Sequence, residues 1–444
     1  MSTVPIHPND RFLTDFMHKV IPSLTDIQLR NISAICLGLL SSIPDKSISS
    51  ISRALIIPKD QSNLNRSLTE SDWGCEITSI DLNKVQLLQQ YKQTRFKSRG
   101  YIIIDDSLIK KSGTWMELVH EHFDHCSFTM KNGLSLVSMN YADDVKSYNL
   151  LKDVYLRKSY LERQGQQHLF KTKVEIAQEF IETLVENFPS VKENKLTFLF
   201  DSWFLAKSII SVLNKHNLKY ISRAKSNRII LGLDMSLKEY GSTVLKNSDF
   251  KEFKIERNGK LERAFAYRCI LPISNLGDVN VCFVKNKLTE PVKAFIVSNN
   301  LKLSESELII HYKERWAIET DYKNTKQYLG LGDFHIRKKE GILRYLTLCF
   351  LVSAYLEYLR LLGIFGHCYG PDLDLSTKGK QIKAYRHMIF ERFLNWVDMQ
   401  YKSGKNLEAL LIYFRKNYCS TNKKNIQFLL YNAELSFNSE VFYM

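Results

Sequence analysis

The sequence predicts an α/β protein with a mixed central sheet, an all-β insertion and helical regions at both ends. Two apolar runs, 100–104 and 195–200, each lead directly into an acidic residue, Asp105 or Asp201. Such runs are typical of buried strands. Residues 227–299 contain several short strand patterns, and helical patterns dominate both termini. This arrangement of elements is typical of the α/β class.

The α/β part begins at about residue 98. A helix is expected to end before Pro189, because proline cannot continue a helix. Three strands come first in the predicted order, followed by a helix, a strand, a helix and a strand. The predicted bounds are 100–105, 118–123 and 134–141 for the three strands, then 167–188, 195–201, 205–215 and 219–224.

The insertion is predicted from a hairpin motif and two further strand patterns. Runs 253–255 and 265–267 flank Asn258-Gly259, the dipeptide most typical of two-residue hairpin turns. Runs 279–284 and 294–297 add two strands. The predicted domains are 1–97 (helical, DNA-binding), 98–226 (catalytic core, first part), 227–299 (β insertion), 300–365 (catalytic core, second part) and 366–444 (C-terminal helical region).

The N-terminal region contains two short predicted helices, 47–55 and 62–71, with Pro58 between them. Their spacing is similar to that of a helix-turn-helix, the motif that places its second helix in the major groove of DNA. Arg53, Asn65 and Arg66 are the side chains expected to reach DNA. The alternative is a small helical bundle that does not bind DNA.

Composition narrows the class of protein. The 444 residues carry a net charge of +15, which favours a polyanionic partner such as nucleic acid, although a basic protein without such a partner is the alternative. Eight cysteines without a C-x-x-C pair indicate a reducing cytoplasm. The most apolar stretch, 345–365, is interrupted by Glu357 and Arg360, so we predict a buried helix and no membrane partner.

Acids at strand ends are candidates for metal binding. Asp105, Asp106 and Asp201 follow buried strands, and carboxylate oxygens are the ligands that Mg²⁺ or Mn²⁺ prefers. Asp and Ser are also ordinary turn and capping residues, which is the structural alternative. Because side chains alternate along a strand, only one of Asp105 and Asp106 should point into a site.

A third acid lies on the predicted helix 312–326. At ~100° per residue, one face of roughly 80° presents a carboxylate among cations and a phenol. On this face Glu319 would bind metal while the cations pair with phosphate oxygens. Arg223 and Lys225 follow a predicted strand near the same edge and are further phosphate-binding candidates. The alternative is a solvated stripe with an Arg–Glu ion pair. The five residues of the face are Tyr312, Arg315, Glu319, Lys323 and Lys326.

This pattern resembles a known family. Tyr312-x2-Arg315-x3-Glu319-x6-Lys326 matches in full the Tyr-Arg-Glu-Lys signature of bacterial insertion-sequence DDE transposases. Arg315-Trp-Ala-Ile-Glu319 is similar to that group's Arg-Trp-x-Ile-Glu, and the strings Ile-Ile-Ile-Asp-Asp-Ser and Phe-Leu-Phe-Asp-Ser-Trp-Phe resemble its first two catalytic strand ends. The resemblance covers residues 99–350, more than half of the chain.

The resemblance implies an RNase H-like core with a β insertion and a catalytic triad of Asp105, Asp201 and Glu319. The family's Asp-x-Ser/Thr form selects Asp105 over Asp106, with Ser107 in the third place. It also implies two Mg²⁺ or Mn²⁺ ions, double-stranded DNA of transposon ends and target, a synaptic homodimer and a nucleoid-associated location in the bacterial cytoplasm. The rival functions are a transposase-derived DNA-binding protein and a metal-dependent endonuclease without strand transfer.

Overall fold

The computed structural model describes residues 4–74, 77–113, 115–124, 127–257, 260–369 and 374–414. Contacts divide the chain into two compact units. The first combines Met1–Ile77 with Asn324–Met444, and the second is Thr78–Lys323. The second unit contains the three predicted catalytic carboxylates.

A mixed sheet forms the centre of the second unit. Its first part is antiparallel, because the long strand β3 pairs with β1 on one edge and with β2 and β4 on the other. Strands β5 and β6 then continue from β1 in parallel. The strands are β1 (Tyr101–Lys110), β2 (His120–Asp124), β3 (Thr129–Ala142), β4 (Ser147–Tyr155), β5 (Thr197–Phe200) and β6 (Lys219–Ala224).

The predicted insertion extends this sheet instead of forming a separate one. Its last strand, β12, pairs antiparallel with β6, and the neighbouring strands follow outward from it. One short helix, α10 (Leu237–Thr243), lies within the segment, so the described part is not purely β. The strands are β7 (Ile229–Ile230), β8 (Met235–Ser236), β9 (Lys251–Arg257), β10 (Lys260–Ile273), β11 (Gly277–Lys285) and β12 (Ala294–Ser298).

The predicted hairpin within the insertion has its two strands where the sequence suggested them. Strands β9 and β10 pair antiparallel, with Phe253 opposite Ala264. The turn dipeptide Asn258-Gly259 itself lies outside the described residues.

Helices accompany the sheet of the second unit. The helix predicted at 167–188 begins later, at Lys173, because Thr172 and Glu175 form a reciprocal capping box at that point. Besides α10, the helices are α5 (Ile77–Gln89, starting at the unit boundary), α6 (Lys158–Arg163), α7 (Lys173–Asn187), α8 (Ser190–Glu193), α9 (Lys207–Lys215), α11 (Glu305–Lys313) and α12 (Trp316–Tyr328).

The predicted continuous helix 312–326 is wrong in one respect, since the chain turns between α11 and α12. The amides of Glu314 and Arg315 donate to the carbonyls of His311 and Tyr312, three residues back. Hydrogen bonds of this spacing wind the chain more tightly than an α-helix does. The angular arithmetic for an ideal helix therefore does not carry through Arg315, whose direction is decided by this turn.

Helices build the first unit around α13 (Lys339–Leu361). This helix is long and apolar enough to cross a membrane by length and composition, yet 94% of its most apolar window is buried within the protein. It packs against α2, α4, α14 and α15. The other helices are α1 (Arg11–Val20), α2 (Asp26–Leu40), α3 (Ile48–Ala54), α4 (Gln61–Thr69), α14 (Ile364–Tyr369), α15 (Lys378–Lys402) and α16 (Leu407–Phe414).

Helices α3 and α4 occupy the positions of the predicted helix-turn-helix. Leu64 and Leu68 bury one side of α4. Arg53, Asn65 and Arg66 are exposed. This arrangement leaves these polar side chains accessible, and their contact with DNA stays a prediction.

Candidate active site

The parallel pairing of β1 with β5 brings Asp105 and Asp201 together. Strand β5 ends just before Asp201, but β1 continues to Lys110 because its pairing with β3 extends that far, so the predicted strand end at Asp105 is wrong. The last paired residues of β1 and β5 are Ile104 and Phe200, so each acid follows at the next position of the register. The three residues before each acid, 102–104 and 198–200, are fully buried at 0% exposure. The buried strands hold the two carboxylates at the carboxyl edge of the sheet, where α/β proteins commonly bind ligands.

The pairing of β1 with β3 separates Asp105 from Asp106. Asp105 lies opposite Ser138, whereas Asp106 lies opposite Val137, on the other face of the sheet. The carboxylate of Asp105 accepts a hydrogen bond from the Arg315 guanidinium at 2.8 Å. The carboxylate of Asp106 instead forms an ion pair with Lys173 on α7 at 2.7 Å. Of the two, Asp105 is the residue directed at Arg315, in the turn before α12.

Arg315 connects the first and third predicted carboxylates. One terminal nitrogen of its guanidinium contacts Asp105, and the other contacts Glu319. The turn before α12 places Arg315 there, and the spacing of four residues brings Glu319 within its reach. The side chain of Arg315 also stands beside the Tyr312 ring, 5.9 Å from its centroid.

Backbone hydrogen bonds fix the orientation of Asp201. Its Oδ1 accepts from the amide of Trp203 at 2.9 Å and from that of Phe204 at 3.3 Å. The hydroxyl of Ser222 on β6 donates to the Asp201 carbonyl at 3.1 Å. The second carboxylate oxygen is not used by these contacts. The exposed Trp203 ring lies under the ammonium of Lys225, at 5.3 Å from its centroid.

Electrostatics at this edge favour a bound cation. Burial, together with the neighbouring Asp201 and Asp106, raises the pKa of Asp105 to about 7, while Arg315 opposes that rise. Burial also raises the pKa of Tyr312, so its phenol is protonated at neutral pH and can donate a hydrogen bond. The carboxylates thus repel one another, and Arg315 supplies part of the compensating charge.

The fit of a divalent metal is good for two of the acids and conditional for the third. Asp105 and Asp201 offer hard oxygen ligands from adjacent positions on neighbouring strands, as Mg²⁺ requires. Within the described residues, no three His, Cys, Asp or Glu side chains are grouped closely enough to hold a metal ion. We attribute this to Arg315, which contacts both Asp105 and Glu319. Glu319 would join the other two when that ion pair is exchanged for a metal.

A basic cleft of about 1250 Å³ opens beside Asp201. Its lining contains six basic and two acidic side chains, so it is suited to a polyanion. The charged residues of the lining are Asp201, Arg223, Lys225, Lys238, Lys285, Glu290, Lys293 and Arg315.

Four of the predicted DNA-binding residues line this cleft, namely Tyr312, Arg315, Arg223 and Lys225. Lys323 is exposed on α12, and Lys326 is exposed further along the same helix, beyond the boundary of this unit. The lysines that the insertion contributes to the cleft were not among the predicted site residues. They follow no local pattern, since only the pairing of β12 with β6 brings the insertion beside the core.

Two family models match the chain. The model described as "DDE superfamily endonuclease" matches residues 19–238, and the one described as "Transposase DDE domain" matches residues 172–355. No curated protein matches the chain. Together the two models cover the segments that carry Asp105, Asp201 and Glu319, and the large mixed sheet with flanking helices is a DDE/RNase H-like fold. The sequence matches and the fold together identify the chain as a member of the DDE superfamily of transposases and endonucleases.

Proposed function

We propose that this protein is an insertion-sequence transposase of the Tyr-Arg-Glu-Lys group, which cleaves DNA at the ends of its element and joins those ends to target DNA. The observation that carries the proposal is that Arg315 joins Asp105 to Glu319, while Asp201 follows the neighbouring strand at the same register position as Asp105. Three carboxylates and a guanidinium in one place are suited to phosphoryl transfer, because the acids bind metal and the cation binds phosphate.

Asp105, Asp201 and Glu319 would hold Mg²⁺ or Mn²⁺, and we expect two ions. A divalent cation in such a site acts as a Lewis acid on phosphate oxygens and lowers the pKa of a bound water. Asp106 is left out of the ligand set because its carboxylate is paired with Lys173.

The remaining residues bind and orient the DNA strand. Tyr312 donates a hydrogen bond to a phosphate, and Arg315 pairs with the same phosphate as it releases Glu319. Arg223 and Lys225 hold the strand along the basic cleft. Lys323 and Lys326 extend this contact along α12.

The wider assembly follows from the same proposal. The exposed side of α4 binds the transposon end, and two copies of the protein assemble at the paired ends. The protein acts on the nucleoid in the bacterial cytoplasm.

The test uses the purified chain, a plasmid carrying the DNA that flanks its gene and, separately, pre-cut end duplexes. With Mg²⁺ we expect nicked and then double-cut plasmid, and joined products from the pre-cut ends. EDTA should abolish both reactions. Cleavage without joining would instead favour the endonuclease, and DNA binding without cleavage would favour a transposase-derived DNA-binding protein.

We expect the basic cleft to determine how strongly DNA binding depends on salt concentration. Neutralising three exposed lysines of its lining (Lys225, Lys238 and Lys293 to Gln) should weaken DNA binding at low salt. It should also flatten the plot of log K against log salt, by up to about 0.9 per lost phosphate contact. Fluorescence anisotropy between low and moderate salt measures both quantities.

The matched control neutralises three exposed lysines that do not line the cleft, Lys192, Lys195 and Lys215. It changes the net charge equally but should leave the slope nearly unchanged. Equal slopes for the two triple variants would show that the cleft does not carry the DNA.

A further inference from the structure

Two polar residues of α12, close to Glu319 in the sequence, face the sheet. Asp321 and Tyr322 on α12 are buried, at 6% and 5% exposure. The side-chain amide of Asn140 on β3 donates to Asp321 Oδ2 at 2.9 Å. The Tyr322 hydroxyl is 2.6 Å from that of Ser138 and donates to the backbone carbonyl of Asp105 at 3.2 Å. One residue of this pair thus reaches the strand of the first carboxylate directly.

The hydrogen bonds continue away from the site through buried side chains. Asn149 on β4 donates to the Asn140 amide oxygen at 3.0 Å, and Lys84 on α5 donates to the Asn149 oxygen at 3.1 Å. Lys84 also pairs with Asp81 at 2.9 Å. Lys152 on β4 pairs with the same Asp81, again at 2.9 Å. The network therefore joins α12 to two strands and a second helix.

This network is balanced in charge and placed on one face of the sheet. It contains two aspartates and two lysines, all buried, with two asparagines between them. Ser138 and Asn140 are two residues apart on β3, and Ser138 is the register partner of Asp105. These side chains therefore project to the same face as the Asp105 carboxylate. Asp106 and Lys173 lie on the opposite face.

Burying charged and amide side chains costs folding free energy, which indicates that this network has a role other than stability. Replacing a buried ionic network by apolar residues is often neutral or stabilising, whereas leaving one member unpaired is strongly unfavourable. An apolar contact tolerates a small slide of one element along another. A buried carboxylate that accepts a hydrogen bond from a buried amide does not, because a slide breaks that hydrogen bond. The network thus selects one register of α12 on β3.

We propose that Asp321 and Tyr322 are positioning residues, which set the location of Glu319 relative to Asp105 for metal binding and DNA cleavage. Neither belongs to the four-residue signature. The inference rests on the proposed function, since Glu319 needs a defined place only if it acts together with Asp105. Asp321 holds the helix to β3, and Tyr322 ties the helix to the Asp105 backbone.

The test exchanges donor and acceptor across the contact. Asn140→Asp places two carboxylates opposite one another, and Asp321→Asn replaces the charge-assisted hydrogen bond by a weaker one between two amides, whereas the double variant restores one amide and one carboxylate. We measure the cleavage rate constant, the Kd for end DNA, the Kd for Mn²⁺ without DNA and the thermal midpoint. Asn140→Asp should cleave about 10²-fold more slowly, the loss expected for a misplacement of about 1 Å, and Asp321→Asn should show a smaller loss. Mn²⁺ binding should also weaken, with end binding unchanged.

The double variant should recover most of the cleavage rate and of the Mn²⁺ affinity. Thr320→Ala, at the exposed neighbouring position, is the matched control and should behave as the wild type. Tyr322→Phe keeps the ring and removes the hydroxyl, so it tests the second contact independently if the Asp321 variants fold poorly. It should slow cleavage and weaken Mn²⁺ binding without loss of end binding.

The outcomes separate the inference from the proposed function. Wild-type rates and Mn²⁺ affinity in folded Asn140→Asp, or in Tyr322→Phe if that variant alone folds, would overturn the positioning role while cleavage by the wild type still supports a transposase. A folded double variant without recovery would also overturn it. If the wild type binds Mn²⁺ but does not cleave, the proposed function fails, and the positioning role is then judged on Mn²⁺ affinity alone.

Discussion

Asp201→Asn and Glu319→Gln are each expected to lower Mg²⁺-dependent DNA cleavage by about 10³-fold, equivalent to about 4 kcal/mol of transition-state stabilisation. Each change removes one negative charge and keeps the size and hydrogen-bonding shape of the side chain. Asn at 201 can still accept from the amides of Trp203 and Phe204, so the local turn should persist. End binding, measured by gel shift, should change little because these residues face the metal.

Asp105 and Asp106 provide a matched pair for this experiment. Asp105→Asn should be as damaging as the other two changes, because its carboxylate shares the site with Asp201 and Arg315. Asp106→Asn loses an ion pair with Lys173 that is partly exposed, and such pairs contribute about 0–1 kcal/mol. Its cleavage rate should fall less than about tenfold. Full cleavage by Asp201→Asn or Glu319→Gln would contradict the assignment, and an active Asp105→Asn with an inactive Asp106→Asn would move the first ligand by one residue.

Arg315→Ala should cause the second largest loss of DNA cleavage, because this one side chain contacts two carboxylates. Its removal leaves Asp105, 15% exposed at its side chain, close to Asp201 and Asp106 without the guanidinium. Breaking a buried pair from one side costs about 3 kcal/mol or more, and residual solvent exposure places this case at the low end. We expect a lower thermal midpoint and cleavage reduced by about 10²-fold, as for the loss of one preorganised charge.

End binding by Arg315→Ala should weaken together with cleavage, and more severely at higher salt, since a phosphate contact is lost. Arg315→Lys is the control. Lysine keeps the charge but not the planar fork that reaches Asp105 and Glu319 at once, so its values should lie between those of the wild type and of alanine. An alanine variant with wild-type stability and cleavage would exclude Arg315 from the site.

Local sequence patterns predicted the helices and strands that are buried through apolar side chains. Strands β5 and β6 and helix α9 appear within two residues of the predicted bounds. Strand β1 and helix α7 also appear, but β1 ends five residues later than predicted and α7 begins six residues later. Strand β4 was missed. Its Asn149 and Lys152 are buried in the polar network, so the strand lacks the apolar pattern by which buried strands are found. Tertiary hydrogen bonds offset the cost of burying these groups, and such bonds cannot be seen in a single segment.

By itself the sequence determined that acids directly follow two buried runs, that a third acid lies on a helix with cations, and that the fold is α/β with a β-rich insertion. The tertiary structure alone decided which acid of the Asp105-Asp106 pair faces that helix, that Arg315 joins Asp105 to Glu319, and that Asp321 meets Asn140. The reason is physical. Alternation along a strand places neighbouring side chains on opposite faces of the sheet. Which of the two faces α12 covers depends on pairing between residues far apart in the chain.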